Sequence, residues 1–330
     1  MVSMNSTTNN VIPKLSTQQA EWLQHDHISC IDSRLAVLKA SGEGLDEYLQ
    51  GQLTQDLGRL SASLGAYCVV LTPQGKAVSD LWIMQGTDGE RILIAEESYS
   101  VNLVARLRQY ALRAPLRMGV VANMTVLSVQ GVETDSILRR AGLPVPSSER
   151  LSVASLPDRE ITAMRFPDAA GDGVRLVLPV DLADSFVEKT GHCVDIDCLE
   201  AARIVHGTPR FGVDWDQRVH PLNANLIEYD GVSFDKGCYV GQEVTSRMHW
   251  RGGIRKALYR IRLPALPESL PVSLHLAPNA PVGHVSSIAC DGDGTYYGIA
   301  QLKIEDVDAG KVFHVANDDP VEVLGRCSPV

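Results

Sequence analysis

Lys236-Gly237-Cys238-Tyr239-Val240-Gly241-Gln242-Glu243 is the chemically most distinctive run in this chain. Two glycines bracket a cysteine, and glycine permits positive φ and close approach of backbone to a ligand. A lysine stands two residues before the thiol, and a nearby cation raises the thiolate fraction. Glu243 can accept hydrogen bonds from a ligand amide or amino-heterocycle. Arg247, His249, Arg251, Arg255 and Lys256 follow, so that with Lys236 they form a basic island in an acidic protein. Such an island suits carboxylates or phosphates; taken alone, it would read as a solvated face. A lone cysteine is likewise more often a small buried hydrophobe than a nucleophile.

Working outward, the 330 residues correspond to two or three domains. Hydrophobic residues make up 45% and charged residues 21%, as in ordinary globular proteins. A net charge of -10 argues against coating nucleic acid or an anionic membrane. The 7 cysteines are odd in number and scattered, which fits free thiols in a reducing, cytoplasmic setting. No apolar run reaches the ~18 residues a membrane span needs. Residues 1–15 are mostly polar and are expected to be a disordered lead-in.

Strand patterns cover Arg34–Ala40, Gly65–Leu71, Ala77–Met84 and Arg91–Ala95, with a turn at Pro73-Gln74-Gly75-Lys76. Leu45, Leu49 and Leu53 share one helical face, and Leu103, Leu107 and Tyr110 mark another helix. Past Leu116 come strands at 117–122, 124–130, 160–166 and 174–180, with helices at 134–141, 181–190 and 195–207. Gly142–Ser148 reads as an exposed loop. Strands and helices mix without strict alternation, so the fold class is α+β. After Pro264-Ala265-Leu266-Pro267 only short strands and turns remain, predicting a small all-β barrel or sandwich.

Three further motifs accompany the signature. Leu49-Gln50-Gly51-Gln52-Leu53-Thr54-Gln55-Asp56 lies near the N-terminus, Leu71-Thr72-Pro73-Gln74-Gly75-Lys76 forms the hairpin turn, and Pro221-Leu222-Asn223-Ala224-Asn225-Leu226 precedes the signature. Together with Arg247 and Arg251-Gly252 they resemble the YgfZ-type folate-binding proteins, relatives of the glycine cleavage system T-protein, an aminomethyltransferase. The resemblance runs from about residue 30 to the end.

It implies three domains around a central channel: 16–115 plus 195–262 as a discontinuous folate-binding domain, 116–194 as a second α+β domain, and 263–330 as a β-barrel. It implies tetrahydrofolate or a derivative as cofactor, and transient iron–sulfur client or assembly proteins as partners, with no direct nucleic-acid or membrane contact. The implied role is iron–sulfur cluster assembly or repair for radical-SAM tRNA-modifying enzymes. Cys238 is then the functional cysteine. Lys236, Tyr239, Gln242, Glu243, Asp56 and Asn225 fall in the shared motifs as folate-site candidates, and Arg247, Arg251 or Arg255 would meet the glutamyl tail. Tyr239 either stacks on a pterin or packs; Trp250 either lines the channel or packs.

Departures from T-protein matter. Its paired aspartates after the hairpin correspond to Ser79-Asp80, and a pterin-contacting glutamate corresponds to Val205. One carboxylate, Asp80, remains for acid–base work. A folate-dependent one-carbon transferase using Asp80 or Asp56 is therefore the alternative reading, and a non-catalytic folate scaffold is a third. Whether any reaction is catalysed stays open. Cys193-x4-Cys198, with His192 beside it, lacks the ligand number and tight spacing of a zinc site and is read as structural.

Overall fold

The alternating apolar runs of the first hundred residues form one sheet, but their partners are not all sequence neighbours. The computed structural model describes residues 12–111, 115–166, 173–276, 281–315 and 319–329. Its elements begin with α1 (Thr17–His25), β1 (Ile28–Ile31), β2 (Leu35–Ser41), α2 (Leu45–Gln50), β3 (Ala66–Leu71), β4 (Ala77–Gln85), β5 (Arg91–Glu96) and α3 (Glu97–Tyr110). Then come β6 (Arg117–Val120), β7 (Met124–Gln130), α4 (Thr134–Ala141), β8 (Val153–Leu156), β9 (Ile161–Phe166), β10 (Gly173–Pro179), α5 (Val180–Thr190) and α6 (Ile196–His206). The last third holds α7 (Gln242–Trp250), β11 (Lys256–Leu263), β12 (Val272–His275), β13 (Pro281–Cys290), β14 (Tyr296–Lys303), α8 (Ile304–Asp308), β15 (Phe313–His314) and β16 (Pro320–Arg326).

Two five-stranded antiparallel sheets and one closed barrel result. The first sheet runs β3-β4-β5-β2-β6, the second β1-β7-β10-β9-β8, and the barrel β11-β14-β13-β12-β15-β16. The α+β class and the C-terminal barrel are as the sequence predicts. The boundaries differ at three points. β6 pairs with β2 in the first sheet, whereas β1 pairs with β7 in the second. β11 already belongs to the barrel, which thus begins at Lys256 rather than 263. Period-two patterning identifies a strand but not its partner.

Residues 1–11 of the expected lead-in lie outside the described residues. Residues 12–15 are seated: Leu15 is buried and donates its N–H to Cys290 O at 2.9 Å. The segment Gly142–Ser148, expected to be exposed, is partly buried because Arg165 donates to Pro146 O (3.0 Å) and Ser147 O (2.6 Å). One apolar cluster crosses all three sheets, joining Val37 and Tyr67 to Val126 and Val177, and both pairs to Leu258 and Ile299 of the barrel.

Candidate functional site

The signature and the N-terminal motif are stitched to each other. Thr54 Oγ donates to Gly231 O (2.6 Å) and accepts from Val69 N (2.8 Å). Ser233 N reaches Thr54 O (3.0 Å) and Val240 N reaches Gly51 O (3.1 Å). Lys236 is buried, and its ammonium donates to Gln50 O, Leu53 O and Gln55 O at 2.7, 2.8 and 2.8 Å. Burial lowers its pKa to about 8, still above neutrality, so all three protons are present and used. Gly241 sits at φ +85, and a Cβ there would lie 2.7 Å from Thr72 O of the hairpin turn. The second signature glycine thus docks α7 onto that turn.

Several folate-site candidates therefore have other duties. Lys236 has no proton left for a ligand, which corrects its expected role. Asn225, in the left-handed region at φ 65, gives both amide protons to barrel carbonyls, Leu258 O (2.8 Å) and Cys327 O (2.6 Å). Its Oδ1 accepts from Leu258 N at 2.8 Å, so it too is a structural tie. Asp56 caps the turn Leu57–Arg59 through Gly58 N (2.9 Å) and accepts from Gln50 Nε2 (2.8 Å). Tyr239 is buried in the central apolar cluster, with Lys236 Nζ 5.2 Å from its ring.

Gln242 and Glu243 open α7, where Glu243 pairs with Arg247 one turn on. Arg251 and Arg255 are exposed, and Trp250 stands 72% exposed with its ring edge-on to Phe234 and His249. Cys238 is exposed at the loop tip beside exposed Gly237. The expected Lys–Cys pairing does not form, because Lys236 spends its charge on carbonyls.

The cavity lies elsewhere, between the two sheets and α6. Of the sequence-selected site residues, only Asp80 lines it. β4 supplies Asp80 and Trp82, β5 ends there at Glu96, and β7 and β10 bring Gln130 and Arg175. The Arg175 guanidinium lies 4.8 Å from the Trp82 ring centre and 4.2 Å from that of Phe166, within cation–π range. Tyr67 donates its hydroxyl to Asp80 Oδ2 at 2.9 Å. Asp80 Oδ1 is buried without a hydrogen-bond partner among the described residues. Burial pushes Asp80 up to about 6, with the Tyr67 bond only partly offsetting it.

One wall is a buried ion network. Arg34 grips Asp32 (2.8 and 2.7 Å) and Glu200 (2.5 Å); Arg210 also reaches Glu200 (2.7 Å), and Arg203 reaches Asp214 (2.7 Å). Burial opposes ionisation of Glu200, but the three arginines outweigh it and hold its carboxyl at about 2. Among the described residues Glu96 forms an ion pair with Arg210 alone, at 3.6 Å, and burial lifts it to about 7. Val205, at the position of the pterin-contacting glutamate, packs instead into the apolar cluster of Leu15, Leu23 and Ala289. The acidic groups lining the cavity come instead from β4 (Asp80), β5 (Glu96) and the turn between β1 and β2 (Asp32). Arg34, Glu96, Gln130, Arg150 and Arg175 carried no motif in the sequence.

This architecture is that of the aminomethyltransferase fold. It superposes on the glycine cleavage system aminomethyltransferase T of Bartonella henselae with TM-score 0.82, covering 94% of this chain and 89% of that one at 17% identity. No protein-family profile matches the chain. In sequence it is 27% identical over 292 residues to the tRNA-modifying protein YgfZ of Yersinia enterocolitica, and 28% to that of Serratia proteamaculans, covering 86% of each chain. The resemblance carried by the signature is thereby borne out over most of the chain.

Proposed function

We propose that this protein binds a reduced folate in the cavity between the two sheets and serves as an accessory factor for iron–sulfur cluster assembly or repair, supporting radical-SAM tRNA-modifying enzymes. The observation that carries the binding half is the buried, unpartnered Oδ1 of Asp80 in a cavity walled by Trp82, Phe166 and Arg175. An unpaired buried carboxylate oxygen is costly unless a ligand donor meets it, and an aromatic–guanidinium wall suits a flat heterocycle. The relatives named as tRNA-modifying proteins support the tRNA half. Cys238, exposed and apart from the cavity, is the group through which sulfur, iron or a partner protein would be handled. A second reading, one-carbon transfer, keeps support from Asp80, whose carboxyl at about 6 suits general acid–base work near neutrality.

Titrating 5-formyltetrahydrofolate against the intrinsic tryptophan fluorescence tests the binding half. Asp80→Asn is expected to weaken affinity about tenfold, near 1.4 kcal/mol; equal affinity in both forms would sink the placement. Cells lacking their own counterpart and supplied with Cys238→Ala test the rest. Lost tRNA modification alongside normal folate binding is expected, and full complementation would remove Cys238 from the mechanism.

A further inference from the structure

Asp26, His27 and His192 converge on the face of the second sheet where α1 ends, away from the folate cavity, and none of them lines that cavity. We propose that these three side chains bind a divalent metal ion of the zinc class, with one coordination position open to water.

Both ring nitrogens of His27 face oxygen acceptors. Its ring is 2% exposed, with Nε2 2.6 Å from Thr190 O and Nδ1 2.7 Å from Asp26 Oδ1. Both neighbours are acceptors. A neutral imidazole carries one N–H and one lone pair, so either tautomer leaves a lone pair facing an oxygen. A metal ion between Nδ1 and the carboxylate resolves the clash and leaves the Nε2–H to donate to Thr190 O.

The surroundings favour the metal. Thr190 O is the backbone acceptor that fixes a ligating histidine through its other ring nitrogen, which leaves Nδ1 to ligate. The second carboxylate oxygen of Asp26 lies 3.2 Å from His192 Nε2, and the three ligand atoms fall within 4.8 Å of one another. Ligands about 2.1 Å from a tetrahedral zinc sit roughly 3.4 Å apart, so the contacts at 2.7 and 3.2 Å open slightly, and a pair at the 4.8 Å bound closes by about 1.4 Å. The chain also holds His192 in place at some cost. Its backbone is left-handed, at φ 42, a posture uncommon outside glycine. Ser29 N donates to His192 O at 3.1 Å, Ser29 Oγ donates to Gly191 O at 2.7 Å, and Trp22 packs edge-on against the imidazole at 4.3 Å.

The donor set, two imidazoles and one carboxylate, is that of three-ligand zinc sites with a water in the fourth position. On binding, any Nδ1 proton leaves to solvent while the Nε2 proton stays on the ring, donated to Thr190 O.

The test uses the tag-free, full-length chain stripped with a chelator and titrated with Zn2+ against a chromophoric competitor. Co2+ absorption reads the coordination geometry. One equivalent is expected to bind. His192→Ala and Asp26→Asn, both at partly exposed positions and so compatible with folding, should each weaken binding at least tenfold. His249→Ala, at a distant stacked histidine, should leave it unchanged. Absence of binding by the wild type, or equal binding by all four proteins, overturns the proposal.

Discussion

Asp80 concentrates the chemistry of the cavity in one carboxyl group. Its folded-state pKa of about 6 stands above the ordinary 3.8. The folded protein therefore holds this proton more tightly than the unfolded chain does. The ionisation penalty is absent below about pH 4, grows between 4 and 6, and is constant above that window. An amide at this position pays no such penalty and can still accept the Tyr67 hydroxyl. Asp80→Asn is thus expected to gain stability over wild type as pH rises from 4 to 7. Two units at 1.36 kcal/mol each bound the gain at about 3 kcal/mol. Part of it comes from Glu96, whose high pKa owes something to the Asp80 charge. Urea denaturation of both proteins at pH 4 and 7 checks this; a stability difference that does not change with pH refutes it. Asp80 was legible in the sequence because a hairpin motif precedes it. Arg175 and Gln130 were not: Arg175 is a single polar residue in an otherwise apolar strand, and Gln130 ends a strand that already carries Thr125 and Ser128. A polar side chain on a buried face is the only signal they leave, and it does not say which residues it meets.

At the scale of elements, the signature is first a joint. Three carbonyls of the 50–55 segment converge on one ammonium, and Gly241 lets α7 sit against the hairpin turn. This explains how one segment can be so specific in residue type while lying outside the cavity lining. Lys236→Met leaves three carbonyls facing a methyl group. At about 1–3 kcal/mol for each unmet buried acceptor, partly relieved by relaxation, the loss should be roughly 3–5 kcal/mol. Arginine should not rescue it, because its planar fork does not match three converging acceptors. Cys238→Ala, two residues on but exposed, should change stability by less than about 0.5 kcal/mol. Denaturant midpoints measure the contrast, and similar losses in both variants would mean that the joint is not where the structure puts it. The helices α4, α5 and α6 were readable within a residue or two, since their 3.6-residue periodicity is local. The swap of β1 and β6 between sheets was not, because pairing depends on residues about a hundred positions away.

For the molecule as a whole, the question is whether three sheets behave as one body. Multi-domain chains commonly unfold in steps. Here two features argue against steps. The largest apolar cluster draws Val37, Val126 and Leu258 from the first sheet, the second sheet and the barrel. The Asn225 amide spends both its protons on barrel carbonyls while its own backbone belongs to the segment before the signature. Separating the barrel would expose apolar surface shared with both sheets and strand those polar groups. Among the described residues no barrel residue lines the cavity, so a ligand there touches the two sheets, α6 and the segment from Thr208 to Tyr229. A reduced folate at a hundred times its Kd should supply about 2.7 kcal/mol. If the molecule is cooperative, the barrel inherits that stabilisation without contacting the ligand. Heat unfolding should then show one transition, coincident by near-ultraviolet dichroism and calorimetry, and the ligand should move all of it upward. Amide exchange in β13 and β14 should slow by the same factor as in β4. If exchange slows in β4 alone, the barrel is an independent unit and the shared cluster does not couple it.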